Sequence, residues 1–163
     1  MIQMKKLNNK GFSLVELIIV IAIMAILVGV VGTQVIPYLE NSRKAKDTQI
    51  FSAWNTAAVS AYSTEAGNLD ALKTYVITVS KDANVSVTTE KGYENLAKTF
   101  LELTDLADES GNSKYNFETE CSSKAGKDVL KVEITVNGGN GQVYTHVTNA
   151  TPSKYSFDDI ENK

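Results

Sequence analysis

Near its start the chain carries a run that few folds can accommodate. Leu17 to Val31, LIIVIAIMAILVGVV, contains no polar side chain. With Phe12 to Glu16 before it and Gly32 to Leu39 after it, the span exceeds the roughly 20 residues that cross a bilayer core. Leu, Ile and Val each contribute about −0.3 to −0.6 kcal/mol at the centre of an inserted helix, enough in sum to offset one carboxylate near an end. Insertion is therefore expected despite Glu16. A carboxylate placed inside such a helix is a candidate functional group.

The flanks qualify this. Met1 to Gly11, MIQMKKLNNKG, holds Lys5, Lys6 and Lys10 and no acid, and reads as a short basic leader. A secretory signal would be cut after the apolar run, at small residues. Here GTQVIPYLE follows Val31, so the run is expected to be retained. Three cations before the span face Arg43, Lys44 and Lys46 after it, and charge alone leaves the orientation tied. A formal net charge of −3 with no basic stripe argues against nucleic acid as the main partner. Cys121 is the only cysteine, which excludes a disulfide within the chain.

Beyond Pro37 the pattern turns amphipathic. Ile50, Trp54, Ala57, Ala58, Ala61 and Tyr62 recur at helical spacing, with Asn41, Lys44, Asp47, Asn55 and Ser63 among the polar positions between them. One helix is predicted from Phe12 to Glu65, stopped by Gly67 and Asn68. Short strands are expected at Thr74 to Val79 and Asn84 to Thr88. A second helix is expected at Tyr93 to Leu106, with Leu96, Ala97, Phe100 and Leu103 on one face. Lys131 to Asn137 and Gln142 to Thr148 alternate around NGGNG, the strongest hairpin signal present. Tyr115 to Cys121 also alternates and is read as a further strand beside the hairpin. The fold class is thus α+β: an N-terminal helix, transmembrane in its first half and amphipathic in its second, packed on a C-terminal antiparallel sheet.

The stretch K-G-F-S-L-V-E-L, Lys10 to Leu17, lies between a basic leader and an apolar helix. It resembles the N-terminus of type IV pilins and pseudopilins, over about the first third of the chain. The resemblance implies a pilin-like architecture with a leader at 1–11, a transmembrane and assembly half-helix at 12–39, an amphipathic half at 40–66 and an extracellular head at 67–163. It implies that a prepilin peptidase cuts between Gly11 and Phe12 and methylates the new amine of Phe12, with the leader in the cytoplasm and the head outside. The ammonium so created needs a partner in the membrane. Glu16 supplies one, on its own helix or on a neighbour; in the family the neighbour's carboxylate matters, which makes Glu16 an assembly register. The implied partners are other copies of the subunit, the peptidase, an inner-membrane assembly platform with its ATPase, and the membrane before assembly. No cofactor is implied. The plain alternative for Glu16 is a carboxylate that snorkels to the headgroups of a single-pass anchor.

Pro37 lacks the N–H that the carbonyl of Thr33 would accept and is expected to kink the helix. In the family a proline a few residues earlier marks a stretch that loses helicity in the filament. Thr33 occupies that position here, and Ala25 replaces a common glycine.

The remaining signals are weaker. Cys121 departs from the disulfide-closed loop of many pilins and reads as a partly buried thiol, with a cross-link between subunits as the alternative. Asp158, Asp159 and Glu161 read as a solvated acidic tail rather than a calcium site. His146, the one histidine, has no companion at metal-ligand spacing. Ser122 to Asp128, SSKAGKD, lacks the first glycine and the hydroxyl residue of a phosphate-binding loop. Asn84 and Asn149 begin glycosylation sequons of a kind that arises often by chance. No nucleophile–base set or metal spacing emerges, which weighs against an enzyme. The best reading is a pilin subunit of a surface filament. A pseudopilin of a secretion or DNA-uptake system shares the whole N-terminal motif, and a membrane-anchored binding domain that never polymerises is the rival from another class. The absent disulfide and the leader's composition suit a Gram-positive source.

Overall fold

The computed structural model describes residues 11–81, 83–87, 94–106, 115–151 and 156–161. The leader through Lys10, Thr88 at the end of the second expected strand, and Tyr93 at the start of the second expected helix lie outside the described residues. Two compact units divide the chain, the first ending at Leu39 and the second beginning at Glu40.

The first unit is a helix, α1, Leu14–Val30, followed by a π-turn at Val31–Val35. It starts two residues later than the apolar pattern alone predicts, because Ser13 takes the extended conformation of an N-cap, with φ −73° and ψ 141°. None of the α1 side chains is buried within the chain. The helical path continues as α2, Ile36–Glu65, and the stretch Leu14–Glu65 contains a segment long and apolar enough to cross a membrane.

In the second unit α2 lays one face on a sheet whose strands run in the order β2-β1-β3-β4-β5. These are β1, Thr74–Ser80; β2, Ala83–Val87; β3, Val129–Asn137; β4, Val143–Asn149; and β5, Ile160–Glu161. Every pairing is antiparallel. The alternation read in the sequence holds at β3 and β4: Val132, Ile134, Val136, Val143 and Val147 point inward, while Tyr144 and His146 face out. Phe51, Trp54, Ala58 and Ala61 of α2 meet them together with Tyr75, Ile77 and Val79 of β1. Burying each large side chain of this set contributes about 1.5–3 kcal/mol. The hairpin closes through the Asn137 N–H on Gln142 O at 2.9 Å, and Gly141 takes a positive φ of 70° that its lack of a Cβ permits.

Three expectations fail. Tyr115 to Cys121 is not a strand: α4, Phe117–Glu120, is a single helical turn capped by the Asn116 side chain, which accepts from Glu118 N at 2.9 Å. The alternation of Tyr115, Phe117, Thr119 and Cys121 cannot be told from a turn that buries Phe117 and Cys121 four apart. On α3, Glu94–Thr104, Leu103 is half exposed while Leu101 is buried beside Leu96 and Phe100, so the apolar stripe is rotated from the predicted one. Asp47 and Asn55, read among the polar positions of α2, are both buried. Asn55 donates to Thr145 Oγ1 at 3.2 Å. A further one-turn helix, α5, Lys124–Lys127, follows an N-cap at Ser123.

Candidate processing and assembly site

Gly11, Phe12 and Ser13 precede the first helical turn. The Gly11–Phe12 peptide bond therefore lies in non-helical chain, and the Phe12 side chain is 89% exposed. Both properties suit a bond that a protease must take into its own cleft. The first helical hydrogen bond joins Leu17 N to Ser13 O at 3.3 Å.

Glu16 occupies the third position of α1. Its Oε2 accepts the Ser13 backbone N–H at 2.8 Å. The arrangement satisfies one of the donors that a helix start leaves unpaired, and it places negative charge at the positive end of the helix dipole. A carboxylate so held already sits one residue from the nitrogen of Phe12, the atom that cleavage would turn into an ammonium. The sequence signal for Ser13 is S-L-V-E ahead of an apolar run, the spacing of a capping box.

The apolar side chains around this end are uncovered. Leu14, Ile18, Ile21, Leu27 and Val28 are each more than half exposed. Farther along, the π-turn ends two residues before Pro37, and Thr33 Oγ1 donates back to Gly29 O at 3.1 Å. A proline offers no donor to the carbonyl four residues earlier, and a π-turn redistributes the hydrogen bonds around such a gap. Gly29 and Gly32 have open space where a Cβ would stand.

The other candidates resolve as parts of the second unit. Asp47 is fully buried and accepts three hydrogen bonds: from Ser122 N and Ser123 N at 2.8 Å each, and from Ser123 Oγ at 2.5 Å. Gly126 packs so closely on this carboxylate that a Cβ there would meet Asp47 Oδ2. Cys121 is buried, with its sulfur 3.7 Å from Tyr115 Oη. Burial, ahead of smaller influences, pushes its thiol up to about 11 and raises the Tyr115 phenol as well. His146 Nδ1 lies 2.6 Å from Asp159 Oδ1 on the open side of the sheet. No cluster of three or more His, Cys, Asp or Glu able to hold a metal occurs among the described residues. The Asn149 side chain donates to Ala125 O at 2.6 Å, engaged inside the fold rather than offered to a glycosylating enzyme.

Residues 6–32 match the family model of the prokaryotic N-terminal methylation motif, the class III leader of type IV pilins. No curated protein and no solved structure matches the chain. The motif supports a precursor of the type IV pilin or pseudopilin type.

Proposed function

We propose that this chain is the structural subunit of a type IV pilus and not an enzyme. In this reading a prepilin peptidase cuts between Gly11 and Phe12 and methylates the Phe12 amine, and the subunit waits in the cytoplasmic membrane with its head outside. An assembly platform driven by an ATPase then draws it into a filament on the cell surface, serving adhesion, motility or aggregation. The observation that carries the reading is the methylation motif at residues 6–32 joined to a helix whose apolar side chains find no cover within the chain. Lipid covers them first and neighbouring copies of the same helix afterwards. A head-to-tail interface of this kind does not close on itself and so extends into a fibre.

Glu16 sets the register. An incoming subunit whose Phe12 ammonium meets a Glu16 carboxylate gains about 4 kcal/mol at 4 Å and an effective dielectric of 20, before desolvation is subtracted. Pro37, behind the π-turn, kinks the helix where it leaves the membrane.

The test is the intact mass and N-terminal sequence of protein sheared from whole cells. A chain that starts at Phe12 with one added methyl group is expected. A chain that stays with the membrane and keeps Met1 to Gly11 overturns the reading. Glu16→Ala is expected to abolish or sharply reduce filaments while leaving cleavage largely intact, and normal filaments from that variant would remove the register role.

A further inference from the structure

Two cationic segments far apart in sequence meet at the start of the head. Arg43 and Lys46 stand on the first turns of α2 within the second unit, both exposed, four and seven residues past Leu39. The turn Ser122–Lys127 is fastened to the same place. Glu40 takes the Lys124 backbone N–H, and Asp47, two turns on, takes the N–H groups of Ser122 and Ser123 at 2.8 Å. Glu40, Arg43 and Asp47 follow at helical spacing on α2, and the hydrogen bonds of Glu40 and Asp47 bring Lys124 and Lys127, both exposed, to this part of the helix.

The acids of this region are engaged. Glu40 is drawn to Lys124 N and lies 3.9 Å from Arg43, Asp47 is buried, Glu118 pairs with Lys81 at 2.5 Å, and Asp128 Oδ2 accepts Thr151 N at 2.7 Å. Glu120 and Asp158, the second lying two residues past the Ser156 carbonyl that Lys44 holds, are the remaining exposed acids of the region. Lys46, Lys124 and Lys127 have no ion-pair partner among the described residues. Ammonium groups within a Debye length, about 8–10 Å, of a bilayer are drawn to anionic headgroups.

We propose that Arg43, Lys46, Lys124 and Lys127 form a basic foot that rests on anionic phospholipid headgroups while the subunit is held in the membrane. The proposal rests on the membrane-anchored state described above. It assigns the Ser122–Lys127 turn a partner, the lipid phosphate layer, and gives Glu40 and Asp47 the role of holding that turn beside the first residues of the second unit.

The full chain is placed in nanodiscs of phosphatidylcholine alone, or of phosphatidylcholine with an equal share of phosphatidylglycerol. Each disc carries a trace of lipid with a gadolinium chelate on its headgroup, and paramagnetic relaxation of the amide signals reads distance from the headgroups. Co-elution of the chain with both discs checks anchoring separately, so a failure to insert sinks the membrane reading and not the foot. With insertion established, at least twofold greater relaxation at residues 122–127 is expected in the phosphatidylglycerol discs, with Lys98 on α3 unchanged. The increase should disappear in 0.5 M salt and in the double variant Lys124→Gln, Lys127→Gln, which leaves the Asp47 hydrogen bonds in place. Equal relaxation of residues 122–127 in the two discs, or an increase that survives the double variant, overturns the proposal.

Discussion

Asp47 is the residue on which the C-terminal half of the head depends. A carboxylate taken wholly out of water is tolerated because three donors converge on it. Asp47→Ala strands those donors and is expected to cost about 3 kcal/mol, the scale of hydrogen bonds to a charged group. The loss would be read from the denaturant midpoint of Trp54 fluorescence in detergent; an unchanged midpoint would refute it. Cys121, next to this node, gives a pH signature. Its folded thiol is raised from 9.0 to about 11, so the fold holds the proton more tightly than the unfolded chain does. The associated stability is complete below pH 9 and drains away as pH rises toward 11. Tyr115, shifted the same way by burial, adds to the loss at still higher pH. A midpoint flat from pH 8 to 11 would contradict this. The burial of Cys121 is legible in the sequence, but the Asp47 node is not: Asp47 is one polar residue among several on α2 and its donors lie 75 and 76 residues away. Gly11, Phe12 and Glu16 instead lie within one contiguous stretch, residues 6–32, that matches the methylation motif.

At the scale of elements, reading succeeds where one local signal settles the matter. The β3–β4 hairpin announces itself because Gly138 to Gly141 interrupt two alternating runs whose register the turn then fixes. Gly138 has a second duty: a Cβ there would lie 2.7 Å from Tyr62 Oη and 2.8 Å from Ala71 O. Gly138→Ala should therefore force the loop off α2, at a cost of about 1–3 kcal/mol, the usual penalty of overpacking. Gly139→Ala, which meets only Asn137 Oδ1 at 3.3 Å, serves as the milder control, and equal thermal midpoints for the two variants would defeat the argument. α4 shows the converse. Its identity depends on Phe117 and Tyr115 reaching the ring cluster around Trp54, a tertiary preference that alternation in a short segment cannot display. Asn116→Ala, which removes the cap, should cost about 1 kcal/mol and leave the hairpin intact by amide exchange. The two-residue β5 is likewise too short to carry a pattern; the acidic residues around it hid a strand that pairs with Tyr144 and Thr145.

At the scale of the whole chain, the two units answer to different solvents. The first exposes its apolar side chains and keeps none inside, whereas the second encloses Phe51, Tyr75, Phe100 and Phe117 completely. The second unit should accordingly fold without the first. A chain of residues 40–163 is expected to stay monomeric in water and to retain the near-ultraviolet signal of Trp54, checked by size-exclusion chromatography and circular dichroism. Aggregation of that fragment would show that its core is completed by the apolar segment. What holds such a head together is also what it does without. Asp47, Ser122 and Ser123 close the C-terminal region with hydrogen bonds, and a chain with one cysteine has no bond within itself that an oxidant must form. The head can therefore mature in an anoxic or sulfide-rich habitat as readily as in air, without an oxidative folding catalyst, and reductant should leave its melting temperature where it was.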